Sequence, residues 1–267
     1  MHHKEACYST PYLVVKLLLG QNMKEFKTNS YYSTDSVYEG FGSGFSEKTI
    51  RMAFIQKVYS ILMVQWAITV GFISLFIYND SVQNYTVQHP KMIIFTLVMM
   101  VILMIAMTCC VNMRRTFPLN FICLFLFTFV LSFLLGVASC TFKAEEVMWA
   151  AGICAFICLG LTVFAFQTKY DFTMMRVFLC VALLCLVIFG ILAIFLHDKI
   201  VHLVYTCVGA LIFSMCLVCD TQILIGGHHK YSISPKEYIF AVLNLYLDII
   251  NLFVDILRII RYIHRLK

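Results

Sequence analysis

Two acidic residues in otherwise uncharged apolar segments are the first candidates for chemistry in this sequence. Asp220 lies in the segment CLVCDTQILIGG, and Asp248 lies inside YIFAVLNLYLDIINLFVDILRII. A charged carboxylate at the centre of a bilayer costs roughly 2.5–3.5 kcal/mol on insertion scales. We therefore expect both side chains to face the protein interior, where they share a proton, bind a cation or meet a basic group.

The segment that carries Asp248 has further polar residues at helical spacing. Asn244, Asp248, Asn251 and Asp255 follow one another at steps of four, three and four residues. This spacing places them on one face of a helix. Because the rest of the helix is almost wholly apolar, we expect this face to point at a polar interior, with Asn244, Asn251 and Asp255 forming the polar face of a pore.

The basic partner expected for the acidic pair is Arg114 or Arg115, which follow the second apolar span. Counting from the span ends at 1.5 Å per residue places Asp220 roughly 9 Å deep and Asp248 roughly 16 Å deep. Helix tilt could bring the two carboxylates within hydrogen-bonding reach, where a pair holds one proton over a wide pH range. Carboxylate oxygens are also the hard ligands that Ca²⁺ selects. The residues thus predict a dyad that senses protons and calcium and could ligate Ca²⁺. The alternative is a hydrogen-bonded staple between helices with no transport.

Other motifs carry weaker signals. Cys216 and Cys219 form a C-x-x-C pair in an apolar span, where cysteines act as small hydrophobes rather than as a metal or redox site. Asn84 begins the sequon Asn-Tyr-Thr, which makes it a candidate glycosylation site although it lies close to the membrane. No cofactor is expected apart from Ca²⁺ as a permeant or bound ion.

Composition and uncharged stretches determine the fold class. The chain is 61% hydrophobic and 13% charged, against about 25% charged in soluble domains, which excludes a soluble enzyme, a nucleic-acid binder and a disordered scaffold. Stretches without Asp, Glu, Lys or Arg run 58–79, 92–113, 116–142, 147–168, 177–197, 200–219 and 238–247. The last continues as a largely apolar run to Leu257. Bilayer-spanning segments of about 20 residues are helical, so we predict an all-α polytopic membrane protein with seven transmembrane helices.

Domain limits and topology follow from the charges between the spans. We predict a short, largely disordered cytosolic tail over 1–50, a membrane domain over 51–262 and a basic C-terminal tail over 263–267. The excess of basic residues in the even loops places the N-terminus in the cytosol. Seven spans then put the C-terminus on the opposite side, although it is itself basic. Either the last segment is re-entrant, or the tail is translocated despite its charge.

Four segments of the chain resemble the transmembrane Bax-inhibitor-motif family, and within it the Lifeguard branch. The resemblance covers roughly residues 47–262. It rests on IRMAFIQKVYSILMVQWAITV, MRRTFPLN, CDTQILIGG and SPKEYIFAVLNLYLDIINLF. Two features depart from relatives: the N-terminal tail is short, with Pro11 as its one proline, and Asp255 stands where relatives are usually apolar or aromatic.

The resemblance implies six helices around a central seventh, calcium leak from intracellular stores and protection from apoptosis. It maps the family's aspartate pair onto Asp220 and Asp248 and the latching arginine onto Arg114. Membrane lipid and calcium are the expected partners, with apoptotic regulators or death receptors as further candidates and no nucleic acid. The Golgi or endoplasmic reticulum is the expected location, with the lysosome or plasma membrane as alternatives.

Three other functions are alternatives to a channel. A G-protein-coupled receptor would have longer loops and an arginine-centred motif after span three. An enzyme is not expected, because no histidine lies in mid-span. The serious alternative is a membrane scaffold that binds apoptotic regulators or death receptors without moving ions.

Overall fold

A computed structural model describes residues 43–110, 116–196, 199–226 and 238–266 of the chain. These residues form helices and no strand. The α-helices are α1 (Ser43–Tyr78), α2 (Asp80–Gln88), α3 (Pro90–Cys109), α4 (Leu119–Ser139), α5 (Ala144–Gln167), α6 (Arg176–Leu196), α7 (Lys199–Ile225) and α8 (Tyr238–Leu266). A 3-10 turn, Phe172–Met175, precedes α6.

All of these α-helices except α2 are long and apolar enough to cross a membrane, which confirms the seven predicted spans. The element limits differ from the sequence prediction in three places. Helix α1 begins at Ser43, inside the predicted tail, and α8 continues to Leu266 through the predicted C-terminal tail. The connection between the first two predicted spans contains α2, which starts because the Asn79 side chain accepts hydrogen bonds from the amides of Ser81 and Val82.

Helix α8 is the central helix of the bundle. Over an apolar stretch of 18 residues in α8, 94% of the residues are buried, whereas the corresponding stretch of no other span exceeds 50%. It packs against α7, α5, α1 and α4, while α3 lies against α4 and α6 lies against α7 on the outside. The predicted arrangement around a central seventh span is confirmed, with four helices in the main contact layer and two beyond it.

Contacts at both ends show that α8 runs the whole length of the bundle. At its first residue, the Tyr238 hydroxyl accepts a hydrogen bond from Asn120 at the start of α4 (3.0 Å). Near its last residue, His264 Nδ1 lies 3.3 Å from Oε1 of Glu146 in the first turn of α5. Because α4 and α5 are consecutive antiparallel spans, their starts lie at opposite ends. The last segment is therefore a continuous crossing helix and not a re-entrant one.

The basic residues near the end of α8 are held by local partners. Arg258 lies 3.9 Å from Asp255, and the Arg261 guanidinium lies 4.5 Å from the centre of the Phe142 ring. Arg261 is only 9% exposed. A carboxylate thus faces Arg258 and an aromatic ring faces Arg261, so protein groups contact both of these positive charges.

The contact between α1 and α4 depends on a glycine. A Cβ atom at Gly136 would lie 2.7 Å from Cδ2 of Phe76, whose ring is buried and packs edge-on against Phe133. Gly152 on α5 offers a matched position, because a Cβ there would meet nothing within 4 Å.

We expect Gly136→Leu to lower the stability of the detergent-solubilised protein by about 1–3 kcal/mol through overpacking, while Gly152→Leu leaves it nearly unchanged. A thiol-reactive fluorophore can follow thermal unfolding, since Cys123, Cys154, Cys216 and Cys219 are buried and become reactive when the bundle opens. Equal unfolding temperatures for the two variants would contradict this close packing.

Candidate functional site

The four polar residues predicted on one face of α8 all lie inside the protein. Asp248 is 0% exposed, and Asn244, Asn251 and Asp255 are at most 5% exposed. The Asn251 side-chain amide donates to the carbonyl oxygen of Leu247 one turn earlier, at 2.7 Å. The central helix thus places two carboxyl groups and two amides in the core, away from lipid.

Asp220 lies in α7, five residues before that helix ends. Its side chain is 11% exposed, and its Oδ1 atom lies 3.9 Å from the guanidinium Nη2 of Arg176, the first residue of α6. The sequence analysis named Arg114 or Arg115, and not Arg176, as the basic partner of the acidic pair. The predicted latch residues Arg114 and Arg115 lie outside the described residues.

A buried glutamine explains why Arg176 reaches Asp220. Gln222, two residues after Asp220, accepts from the amide of Phe172 (2.9 Å) and donates to the carbonyl oxygen of Tyr170 (2.9 Å). These two bonds hold the chain just before α6 against α7. The thiol of Cys219 also donates to the Phe172 carbonyl oxygen, at 3.1 Å. Asp220 is therefore flanked by side chains that fix the segment leading to its arginine.

The C-terminal end of α7 is tied to the start of the bundle. Arg51 in α1 donates through Nε to the carbonyl oxygen of Ile225, at 2.8 Å. A cation at this position complements the partial negative charge of the helix C-terminus. Arg51 and Gln222 together hold the end of α7 between α1 and the segment before α6.

The register of α7 against α8 is set where Asp255 approaches Gly209. A Cβ at Gly209 would lie 2.5 Å from Asp255 Oδ2, so these residues are level. Counting eleven residues along α7 to Asp220 and seven back along α8 to Asp248 gives an axial offset of about 6 Å at 1.5 Å per residue. The two carboxyl groups thus lie on neighbouring helices at nearby depths, with Asp220 closer to the end that carries Arg176.

Asp255 is packed rather than open. It fills the space left by Gly209 and pairs with Arg258 on its own helix. The sequence analysis placed Asp255 on the polar face of a pore. Its 5% exposure and these contacts make it part of the helix interface.

A buried network of uncharged polar groups was missed by the sequence analysis. The Tyr246 hydroxyl hydrogen-bonds that of Thr69 (2.7 Å), and Thr69 hydrogen-bonds Ser132 (2.9 Å). One turn away, Gln65 donates to Thr128 at 2.7 Å. The signal in the sequence is the spacing of four residues between the polar groups in both α1 and α4. This network joins α1, α4 and α8 on the side of α8 opposite to the face that carries Asp248.

Two further predictions from the sequence concern a glycosylation site and a calcium site. Asn84 is exposed in α2, which leaves its glycosylation a prediction. Across the described ranges, no three His, Cys, Asp or Glu side chains gather as a metal site. A calcium ion at Asp220 or Asp248 would need carbonyl, amide or water oxygens as further ligands.

Comparison with known proteins decides the family. The profile described as "Inhibitor of apoptosis-promoting Bax1" matches residues 51–265. The chain belongs to this Bax-inhibitor family. Human protein lifeguard 3 is 36% identical over 220 residues, covering 80% of this chain and 70% of the human protein. Mouse protein lifeguard 3 is 34% identical over 218 residues, with the same two coverages.

The Golgi anti-apoptotic protein of vaccinia virus (strain Lister) is also similar. It is 34% identical over 225 residues, which cover 83% of this chain and 92% of the viral protein. These relatives confirm the Lifeguard branch of the Bax-inhibitor family, whose members are anti-apoptotic membrane proteins. The matched region starts at Arg51, the residue that caps α7, and includes every polar contact described for the site.

We expect Tyr246→Phe to destabilise the bundle by about 1 kcal/mol, because the buried hydroxyls of Thr69 and Ser132 lose a partner. Tyr262→Phe is the control, since Tyr262 is only half-buried on the same helix. The unfolding temperature in detergent should fall by about 2–4 °C for Tyr246→Phe and stay unchanged for Tyr262→Phe. Identical melting of the two variants would show that the network contributes nothing.

Proposed function

We propose that the protein is a pH-sensitive calcium leak channel of intracellular membranes that lowers store calcium and thereby inhibits apoptosis. The observation that carries the proposal is the complete burial of Asp248 in a helix that is itself enclosed by the others. A carboxyl group at this depth is costly, and intramembrane acids characteristically belong to ion or proton pathways.

The side chains along α8 suit calcium as the transported ion. Asp248, Asn244 and Asn251 supply carboxylate and amide oxygens, which are hard ligands of the kind that Ca²⁺ prefers. A leak needs ligands that lower the energy barrier for the ion without trapping it. A site with a small number of charged ligands meets that requirement. In this proposal calcium passes along the part of this face that carries Asn244, Asp248 and Asn251.

Proton sensitivity would come from the acidic pair. Asp220 and Asp248 lie on packed helices at nearby depths, and in this proposal the two carboxyl groups influence each other's protonation. Arg176 of α6 faces Asp220 from the outside. In this proposal the pair holds a proton that calcium must displace, so that flux depends on pH.

Arg176 would act as a latch. Its ion pair with Asp220 joins α6 to α7, and the bonds of Gln222 hold the preceding segment in place. Release of Asp220 from the arginine would free the end of α7 next to the polar face of α8. Arg114, which the family resemblance assigns as the latch, is proposed to act on the same carboxylate.

The viral relative is named as a Golgi protein, which favours the Golgi as the location of this chain.

A scaffold that binds apoptotic regulators or death receptors, without ion flux, is the competing function. Calcium flux into liposomes that contain only the purified protein distinguishes the two, since a scaffold alone moves no calcium.

We expect Asp248→Asn to reduce calcium flux in proteoliposomes by about tenfold, as for loss of a charged contact worth ~1.4 kcal/mol or more, and to remove its variation with pH. Flux is followed with a calcium-sensitive dye enclosed in the vesicles. Asp80→Asn is the control, because Asp80 is exposed in α2. Unchanged flux and pH response in Asp248→Asn would refute the dyad mechanism, and absence of flux in the unmodified protein would favour the scaffold.

We expect Arg176→Gln to raise the leak severalfold at equal protein density, because Asp220 loses the cation that holds α6 against α7. Lys169→Gln removes a positive charge from the exposed loop before α6 and should leave flux unchanged. The same assay applied to Arg114→Ala measures the contribution of the predicted latch. A leak that stays equal or falls in Arg176→Gln would argue against the latch.

A further inference from the structure

An apolar groove lies on the outside of the bundle, away from the polar face of α8. It has a volume of about 540 Å³, within the usual range of small-molecule sites. Helix α4 forms its floor, and α1 and α3 form its walls. The lining residues are Phe72, Lys91, Met92, Phe95, Thr96, Phe129, Val130 and Phe133.

The groove extends over the depth of one membrane leaflet. It opens at the start of α3, where Pro90 and Lys91 lead the chain into the membrane. Helix α4 ends on the side of the bundle where α3 starts. Phe129 lies ten residues before the end of α4, which places it about 15 Å below the mouth of the groove at 1.5 Å per residue. This depth is half of the roughly 30 Å hydrocarbon core. The shape therefore fits one acyl chain of a lipid in that leaflet.

The mouth of the groove is positively charged. Lys91 is exposed there, and within the described ranges no acidic side chain lies within ion-pairing distance of it. The N-terminus of α3 adds the partial positive charge of its helix dipole. An anionic group is favoured at this point, directly above an apolar cleft.

We propose that this groove is a binding site for an anionic phospholipid, with one acyl chain in the cleft and the phosphate group at Lys91. The apolar cleft matches the acyl chain of such a lipid, and the lysine matches its phosphate group. The lysine lies at the membrane surface and the cleft below it, as the head group and acyl chain do in a bilayer. Here three helices wall the chain and a lysine holds the head group.

Native mass spectrometry of the full chain tests the site. Detergent-purified protein is loaded with phosphatidylglycerol or with phosphatidylcholine of the same acyl chains, and bound lipid is counted as collision energy rises. We expect one phosphatidylglycerol to survive at energies that remove phosphatidylcholine. Lys91→Gln should lower its retention about tenfold, and Val130→Phe, which fills the floor of the groove, should release it as well.

Lys199→Gln is the matched control, because Lys199 is exposed in the first position of α7 at the same end of the bundle but does not line the groove. It should keep the lipid. Equal loss in Lys199→Gln would mean diffuse attraction to positive charge, and full retention in Val130→Phe would mean that no chain occupies the cleft. Either outcome would overturn the proposal, as would equal retention of the two lipids by the unmodified protein. Unfolding temperatures establish that each variant is folded.

Discussion

A carboxyl group in the middle of a membrane must be surrounded by protein, and this constraint organises the bundle. The helix that carries Asp248 is the most polar of the seven spans on one face, and it is the one that the others enclose. The apolar spans α3 and α6 lie on the outside, where lipid replaces protein contacts at little cost. The chain order of the spans does not determine this arrangement. It follows from the need to keep Asn244, Asp248 and Asn251 out of the acyl chains.

The second acidic residue shows how such a group is held at the rim of the bundle. Asp220 keeps slight exposure and meets Arg176, whose position depends on two backbone bonds made by Gln222. Glutamine suits this task because its amide both donates and accepts. The result is a small ionic contact on a braced segment. Such a contact can be broken without unpacking the core, as a gate requires.

Much of the fold could be predicted from the sequence, because hydropathy and helical spacing are local properties. Seven spans and the burial of the polar face of the last span follow from them directly, whereas the central position of that helix was expected from the family resemblance. The role of Arg176 could not be predicted, since it depends on Gln222 folding a distant loop back onto α7. The hydroxyl network around Tyr246 shows its spacing within α1 and α4, but the pairing between helices is tertiary. The contacts of Arg258 with Asp255 and of Arg261 with Phe142 could not be predicted either, because the charge rule counts basic residues without their partners.

The central claim is that a proton and calcium compete for the acidic pair on α7 and α8. Proton release on calcium binding tests it most directly, measured by calorimetry of the reconstituted protein in buffers with different ionisation enthalpies. The account predicts that calcium binding releases about one proton and that Asp248→Asn binds calcium weakly and releases none. Calcium binding with no proton release, or the same release from Asp248→Asn, would contradict it.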